Sequence, residues 1–419
     1  MAMTSKYSYS GYTTLLVTSI LLLLALIASL ASSKGVFFQI KVAQNEIKSR
    51  QAHWLAEGGV ECAWAQFRVN NIVPAVITDC GSGLWTIPNF TSTSNGYLVT
   101  SNVGFTSISK EIILGGNLSY GAMQSSADIY FHSSATFSTP DPGELSSDGW
   151  ECIALRYKKR FYSSSVDNKG VIHGESPYAD FNNPTNKDCA NTTANRHLSS
   201  SVGGVGAGDD FTQDTDLKPF ESFFGVKAEE HNDVRDNGVF HVMTGSVADG
   251  IPNCGAALTA EIQSGKHHLW VEGSCEIKQS EYNDLVNATS STNGVTVLIH
   301  DGLFSVMGPP SSGATSNKFK GVLFHFNHDY TPTTADWVGF EANAHLNHVP
   351  SVVEDSYRTI ASYYQHGSFT VSGGQYFDSE DQAAVFFDSL DFRYNKDVID
   401  NSRNAHAIPR WKKGSWNDL

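Results

Sequence analysis

Ser10-Gly11-Tyr12-Thr13-Thr14-Leu15-Leu16-Val17-Thr18-Ser19-Ile20-Leu21-Leu22-Leu23-Leu24-Ala25-Leu26-Ile27-Ala28-Ser29-Leu30-Ala31 is the stretch on which the architecture turns. A polar leader, Met1 to Gly11, precedes the apolar run, and its one charged side chain is Lys6. No further charge appears before Lys34. A hydrocarbon layer about 30 Å thick is crossed by roughly 20 apolar residues in a helix, and Tyr12 to Ser33 meets that length. No proline follows until Pro74, so the helix is expected to continue to Asn70 or Asn71. Within Gln39 to Val69, the residues Ile40, Ile47, Trp54, Ala56, Val60, Ala63, Trp64 and Phe67 recur at helical spacings and define one stripe. Ser32-Ser33-Lys34-Gly35 holds poor helix formers. It reads either as a loosened turn or as an interfacial helix end with Lys34 snorkelling.

Composition sets the outer limits. The 419 residues allow two or three domains, and few charges with much Gly, Ser, Thr and Asn suit a β-rich protein outside the cytoplasm. The net charge of −15 provides no global basic field to gather nucleic acid. The six cysteines are Cys62, Cys80, Cys152, Cys189, Cys254 and Cys275. They lack C-x-x-C spacing, and behind an export signal they read as disulfides. Fifteen pairings are open; pairing of neighbours closes the shortest loops.

A leader with a lysine, a glycine at its end, an aromatic residue next and an apolar helix with an amphipathic continuation resembles the class III signal of type IV pilins. The resemblance implies that prepilin peptidase cuts after Gly11 and that the new terminus, Tyr12, is methylated. Gln51-Ala52-His53-Trp54-Leu55-Ala56-Glu57-Gly58-Gly59-Val60-Glu61 is similar to the A-E-A-G segment of PilX-type minor pilins and of the K-type minor pseudopilin of type II secretion, with Gly58 in place of the second alanine. Major pilins carry a glutamate at the fifth mature position, where this chain has Leu16. A buried carboxylate without a partner is costly, so the resemblance implies a place at the fibre tip. At the other end, Tyr394-Asn395-Lys396-Asp397-Val398-Ile399 and Gly414-Ser415-Trp416-Asn417-Asp418 resemble tail elements of large PilX-type proteins, with Asn395 where that pattern has aspartate.

The rest of the chain offers weaker signals. Short strand-like runs from about Leu84, including Gly96 to Val99 and Phe105 to Leu114, fit a sheet packed on the helix. Residues 121–265 read as an inserted, turn-rich region, with Pro140-Asp141-Pro142-Gly143 as a turn and Gly203 to Gly208 as a flexible loop. Asp209, Asp210, Asp214, Asp216, Asp233, Asp236 and Asn237 are candidate calcium ligands, as the K-type resemblance also implies. Their spacing fits no EF-hand, and a solvated acidic loop is the default. Residues 266–419 read as a β-rich domain. There, Leu269 to Ile277, Val295 to Val306 and Tyr363 to Val371 echo one another, which predicts either stacked strand-turn-strand rungs or plain hairpins. His325/His328 and His345/His348 are two H-x-x-H pairs, with His267-His268 and His300-Asp301 upstream, and read as surface histidines rather than metal ligands. Arg410, Trp411, Lys412, Lys413 and Trp416 mix cations with aromatics, either for contact with nucleic acid or as a packed tail. No catalytic constellation is apparent.

The expectation is an α+β chain in five parts: leader 1–11, pilin helix 12–70, pilin-like sheet 71–120, insertion 121–265 and β-rich domain 266–419. The expected function is that of a non-enzymatic minor pilin at or near the tip of a type IV pilus, serving adhesion, motility or DNA uptake. Its expected partners are other minor pilins, the major pilin, prepilin peptidase and the inner membrane before assembly, with a surface or DNA contact at the tip. Two alternatives stand beside it: a type II secretion tip pseudopilin, and a secreted β-rich carbohydrate-binding or hydrolytic protein with an ordinary signal peptide cut near Ser29-Leu30-Ala31.

Overall fold

The computed structural model describes residues 10–70, 73, 88–93, 96–114, 121–190, 196–198, 210–309, 318–348, 351–388, 390–406, 409–412 and 414–418. Met1 to Tyr9 of the leader, Cys80, the Gly203 to Gly208 loop, Asp209 and Lys413 lie outside the described residues. The chain divides into two compact units, Met1–Thr93 with Tyr97–Ile112 and Trp411–Leu419, and Ile113–Arg410 with Ser94–Gly96.

The first unit is built on α1 (Ser10–Asn70), one unbroken helix of 61 residues. It runs through Ser32-Ser33-Lys34-Gly35 without the loosened turn. The hydroxyls in its apolar half bond back within the helix: Thr14 Oγ1 to the Gly11 carbonyl at 3.0 Å, Ser19 Oγ to Leu16 at 2.9 Å and Ser33 Oγ to Ser29 at 2.8 Å. Polar groups are thereby satisfied internally, as a hydrocarbon surrounding demands. This is a helix long and apolar enough to cross a membrane. Residues 11–51 are exposed along their whole length. Ile40, Ile47 and Trp54 are exposed as well, so the stripe is covered only towards its end, where Ala56, Val60, Ala63 and Phe67 are fully buried and Trp64 is half-buried.

A small sheet accompanies those four residues. It contains β1 (Asn89–Thr93), β2 (Gly96–Val103) and β3 (Thr106–Leu114), ordered as in the sequence, and the tail strand Pro409–Trp411 next to β3. Two-residue connections force β1, β2 and β3 to run antiparallel. Asn417–Asp418 pairs antiparallel with Ser109 and Ile108 of β3. Val99, Ser101, Ile108 and Ile112 are fully buried, while Phe105, at the tip of the β2–β3 hairpin, is fully exposed.

The second unit is a stack of parallel rungs. The chain lays down β4 (Met123–Ser125), β5 (Asp128–Phe131), β6 (Ala135–Thr139), β7 (Leu155–Tyr157), β8 (Phe161–Asn168), β9 (Arg196–Leu198) and β10 (Phe211–Gln213). It crosses through α2 (Pro219–Phe224) and α3 (His231–Arg235) to β11 (His241–Thr244). There follow α4 (Cys254–Gln263), β12 (His268–Glu272), β13 (Cys275–Ile277), α5 (Gln279–Ser290), β14 (Val295–His300), β15 (Phe304–Met307) and β16 (Gly321–Phe326). An excursion with the one-turn helices α6 (Asn343–Leu346) and α7 (Asp355–Arg358) leads to β17 (Ala361–His366), β18 (Gln375–Asp378), β19 (Ala383–Phe387), β20 (Leu390–Arg393) and α8 (Lys396–His406).

The two sheets are ordered β10-β7-β4-β18-β16-β14-β12-β11 and β13-β15-β17-β19-β5-β8-β6-β20. Every pairing along these two orders is parallel. A rung is one strand from each sheet joined at a short corner, and the stack is permuted. The late rung β18–β19 pairs with the early rung β4–β5, at Gln375↔Met123 and Ala383↔Asp128. The expected boundary between an insertion, 121–265, and a β-rich domain, 266–419, therefore does not divide the sheets. Short strands hidden in turn-rich sequence supply β10-β7-β4 at one end of the first sheet and β11 at the other. The rungs are parallel coils, not hairpins.

Inside the stack, Phe304, Tyr363, Phe386, Phe131 and Phe161 form a ladder across successive rungs, with ring centroids 5.3, 5.2, 5.0 and 5.5 Å apart. Such contacts add to the burial of large apolar area. The outer face of the first sheet is covered by α2, where Phe220 lies 4.4 Å from Phe326 and Phe223 lies 5.2 Å from Tyr376. A second buried cluster, with Trp337, Leu346 and Tyr357 of the excursion against Tyr130, Tyr364 and Val385, covers part of the other sheet.

Corners explain two of the three sequence echoes. Glu272-Gly273 and Asp301-Gly302 sit at equivalent corners, stacked so closely that a β-carbon on Gly302 would lie 2.3 Å from the Gly273 carbonyl carbon. The third echo belongs elsewhere: Gly367 follows β17, in the other sheet, and stacks on Gly308.

Candidate functional site: the amino-terminal helix and its seat

Gly11, Tyr12 and Leu16 all lie in the first turns of α1, with Tyr12 71% and Leu16 46% exposed. The three are presented on a bare helix that makes no use of them inside the fold.

The seat of the helix is specific. Gly59 faces β2 so closely that a β-carbon there would stand 2.3 Å from Ser101 Oγ and 3.5 Å from the Pro88 ring. This gives Gly59 a packing reason. Phe67 lies 5.6 Å from Tyr97 and 6.0 Å from Phe90, centroid to centroid. Trp64 stacks on Trp411 of the tail at 4.7 Å. Lys110 lies over Trp411 at 4.2 Å and Trp416 at 5.1 Å, and its Nζ is 3.0 Å from Glu61 Oε1. Lys412 pairs with Glu111 at 2.8 Å, and the Glu111 backbone N–H donates to Ser415 Oγ at 3.1 Å. The basic-aromatic tail is thus a packed element, with Trp411, Lys412 and Trp416 already engaged. Each cation–π contact is worth about 0.5–2 kcal/mol.

Two disulfides join neighbouring cysteines in the second unit: Cys152–Cys189, beside Trp150, Val171 and Phe181, and Cys254–Cys275, which fastens the start of α4 to β13. Cys62 is also disulfide-bonded.

The remaining candidates scatter. Asp210 accepts from Asn168 Nδ2 at 3.1 Å, Asp214 holds the backbone of Asp216, Asp236 pairs with Arg235, and Asn237 accepts from the backbone of Val239. Asp216 is exposed, and Asp233 lies in the first turn of α3. Among the described residues no group of three His, Cys, Asp or Glu side chains is placed to hold a metal ion. His325 points into the stack and bonds the Gly302 carbonyl, whereas His328, beyond the strand end, is exposed. His345 and His348 are both exposed. Sequence reading missed a buried histidine set. Burial pushes His268, His300 and His325 down to about 4, and holds His406 well below its ordinary value. His406 gave no signal because only the docking of α8 buries it, 3.8 Å from the Phe240 ring.

No known family model, curated protein or solved structure matches this chain.

Proposed function

We propose that the chain is a minor pilin, cut between Gly11 and Tyr12, that sits at or near the tip of a type IV pilus-like fibre and presents its second unit there. The observation that carries this reading is the division of labour along α1. Forty-one consecutive residues, 11–51, are exposed although largely apolar, and only the next stretch is seated on a sheet through Ala56, Gly59, Val60, Ala63 and Phe67. An apolar helix left bare needs a lipid or protein environment. A membrane before assembly and a bundle of like helices after it provide both in turn. Leu16 supports the tip position, since it brings no carboxylate that would require a neighbour's amine.

Mass spectrometry of the mature protein's amino terminus, from cells that carry prepilin peptidase, tests the reading. A chain that begins at N-methylated Tyr12 is expected, and Gly11→Val should leave the leader attached. A mature chain that begins at Ser32, or one that retains Met1 to Gly11 in the native protein, would overturn it.

A further inference from the structure

One corner of the stack opens into a cleft of about 430 Å³ between the rung corners and the crossover that carries α2. That volume lies in the range of small-molecule sites. Its floor is a fixed amide ladder: Asn327 Oδ1 accepts from the Gly302 N–H at 3.0 Å, Asn327 Nδ2 donates to Gln382 Oε1 at 2.8 Å, and Gln382 Nε2 donates to the Tyr330 carbonyl at 2.6 Å. These groups sit on neighbouring rungs and cannot drift apart without breaking the stack. The His328 ring lies 6.0 Å from the buried Phe326 ring and is itself exposed, and Thr331 stands exposed at the rim.

The charges lining the cleft compensate one another. Lys158 is held by Glu380 at 2.9 Å, and Glu221 lies between Lys218 at 3.9 Å and Arg410 at 3.8 Å. Asp378 accepts from the Phe220 N–H and from Ser126 Oγ. Lys227 and Glu229, on opposite sides of Ala228, are exposed and unpaired among the described residues. An anion entering here meets carboxylates, and a cation meets lysines. A hydroxyl both donates and accepts, so it suits a wall that alternates ammonium, carboxylate and amide. Several hydroxyls on one rigid ring suit it best, with an exposed imidazole face for the ring's C–H side.

We propose that this cleft binds a neutral sugar, as a single hexose unit or as the end of a glycan. The proposal goes beyond the assembly reading and does not depend on it, because the cleft lies wholly within the second unit. The test uses the full chain in a detergent without a sugar headgroup. It is screened against neutral mono- and oligosaccharides, with heparin fragments and oligogalacturonate as acidic comparators, and hits are titrated calorimetrically. Thr331→Trp plugs the cleft from an exposed position, and the double variant Lys227→Ala/Glu229→Ala removes the two free groups; unchanged melting temperatures show that both are folded. Binding of a neutral sugar is expected, weakened about tenfold or more by Thr331→Trp and by the double variant. Absence of any neutral ligand, capture of acidic glycans alone, or undiminished binding by Thr331→Trp would overturn it. The amino-terminal analysis is read separately, so either proposal can fail while the other stands.

Discussion

Gly59 of the helix and Ser101 of β2 are in contact at a distance that leaves no room for a side chain: a β-carbon on Gly59 would stand 2.3 Å from Ser101 Oγ and 3.2 Å from its Cβ. The helix is seated at this point and at few others. Gly59→Ala should lower the stability of the first unit by about 1–3 kcal/mol through overpacking. Ser101→Ala in the same chain should recover much of that loss, because it removes the atom in closest conflict. Thermal or urea melts of the two single variants and the double variant check the coupling; additive losses would show that the two residues do not compete for the same space.

The tail should matter to the same unit. Trp411→Ala removes the stack on Trp64 and the platform under Lys110. A loss of about 3 kcal/mol is expected, in line with truncation of large aromatics. Limited proteolysis of the tail, cut faster in the variant than in the native chain, provides an independent readout.

In the second unit, Gly302→Ala is expected to be severe. The added carbon would lie 2.3 Å from the Gly273 carbonyl carbon and 2.4 Å from the Ser274 nitrogen, and backbone cannot rotate aside. Gly265→Ala is the control: its φ is +93° with nothing within 4 Å, so only backbone strain of about 1–2 kcal/mol is expected. Soluble yield and circular dichroism melts should separate the two variants clearly.

Reducing conditions should loosen the start of α4. Cys254→Ser with Cys275→Ser opens a loop of 21 residues and should cost about 2–4 kcal/mol. Hydrogen exchange should rise first in α4 and β13. Uniform exchange across the stack would argue against a local staple.

The buried histidines set an acid limit. Their pKa values are depressed in the folded chain, to about 4 for His268, His300 and His325, against 6.5 in the unfolded chain. The unfolded state therefore binds more protons below 6.5, and stability is full above that value and falls as pH drops from 6.5 towards 4. His406→Phe keeps a ring against Phe240 and removes one titrating group, so the melting temperature should fall less steeply with acid. Equal slopes for the variant and the native chain would remove His406 from this account.

Much of the first unit was legible because its signals are local. Helix period, apolar length and the position of Pro74 follow from neighbours a few residues apart, and α1 ends at Asn70 within the expected pair. The disulfides Cys152–Cys189 and Cys254–Cys275 also join neighbours. The rungs were legible only in part. Val295 to His300 is buried on both faces and reads as an apolar run interrupted only by Thr296 before it ends at His300, close to the near-continuous apolar pattern of parallel strands. Met123–Ser125 and Leu155–Tyr157 are three-residue strands, too short to carry a period. The tail cluster was ambiguous because a lysine over a tryptophan and a lysine awaiting phosphate look alike in sequence.

By itself the sequence determined a long helix with an apolar first half, a β-rich remainder and an even number of cysteines, since each rests on local spacing or composition. Only the tertiary structure decided that 121–265 and 266–419 share two sheets, that Trp411 returns to Trp64, and that Asn327 and Gln382 meet at one corner. These relations join residues 55 to more than 300 positions apart. Parallel pairing between distant strands is fixed by which faces can be buried together, and no window of sequence contains both partners.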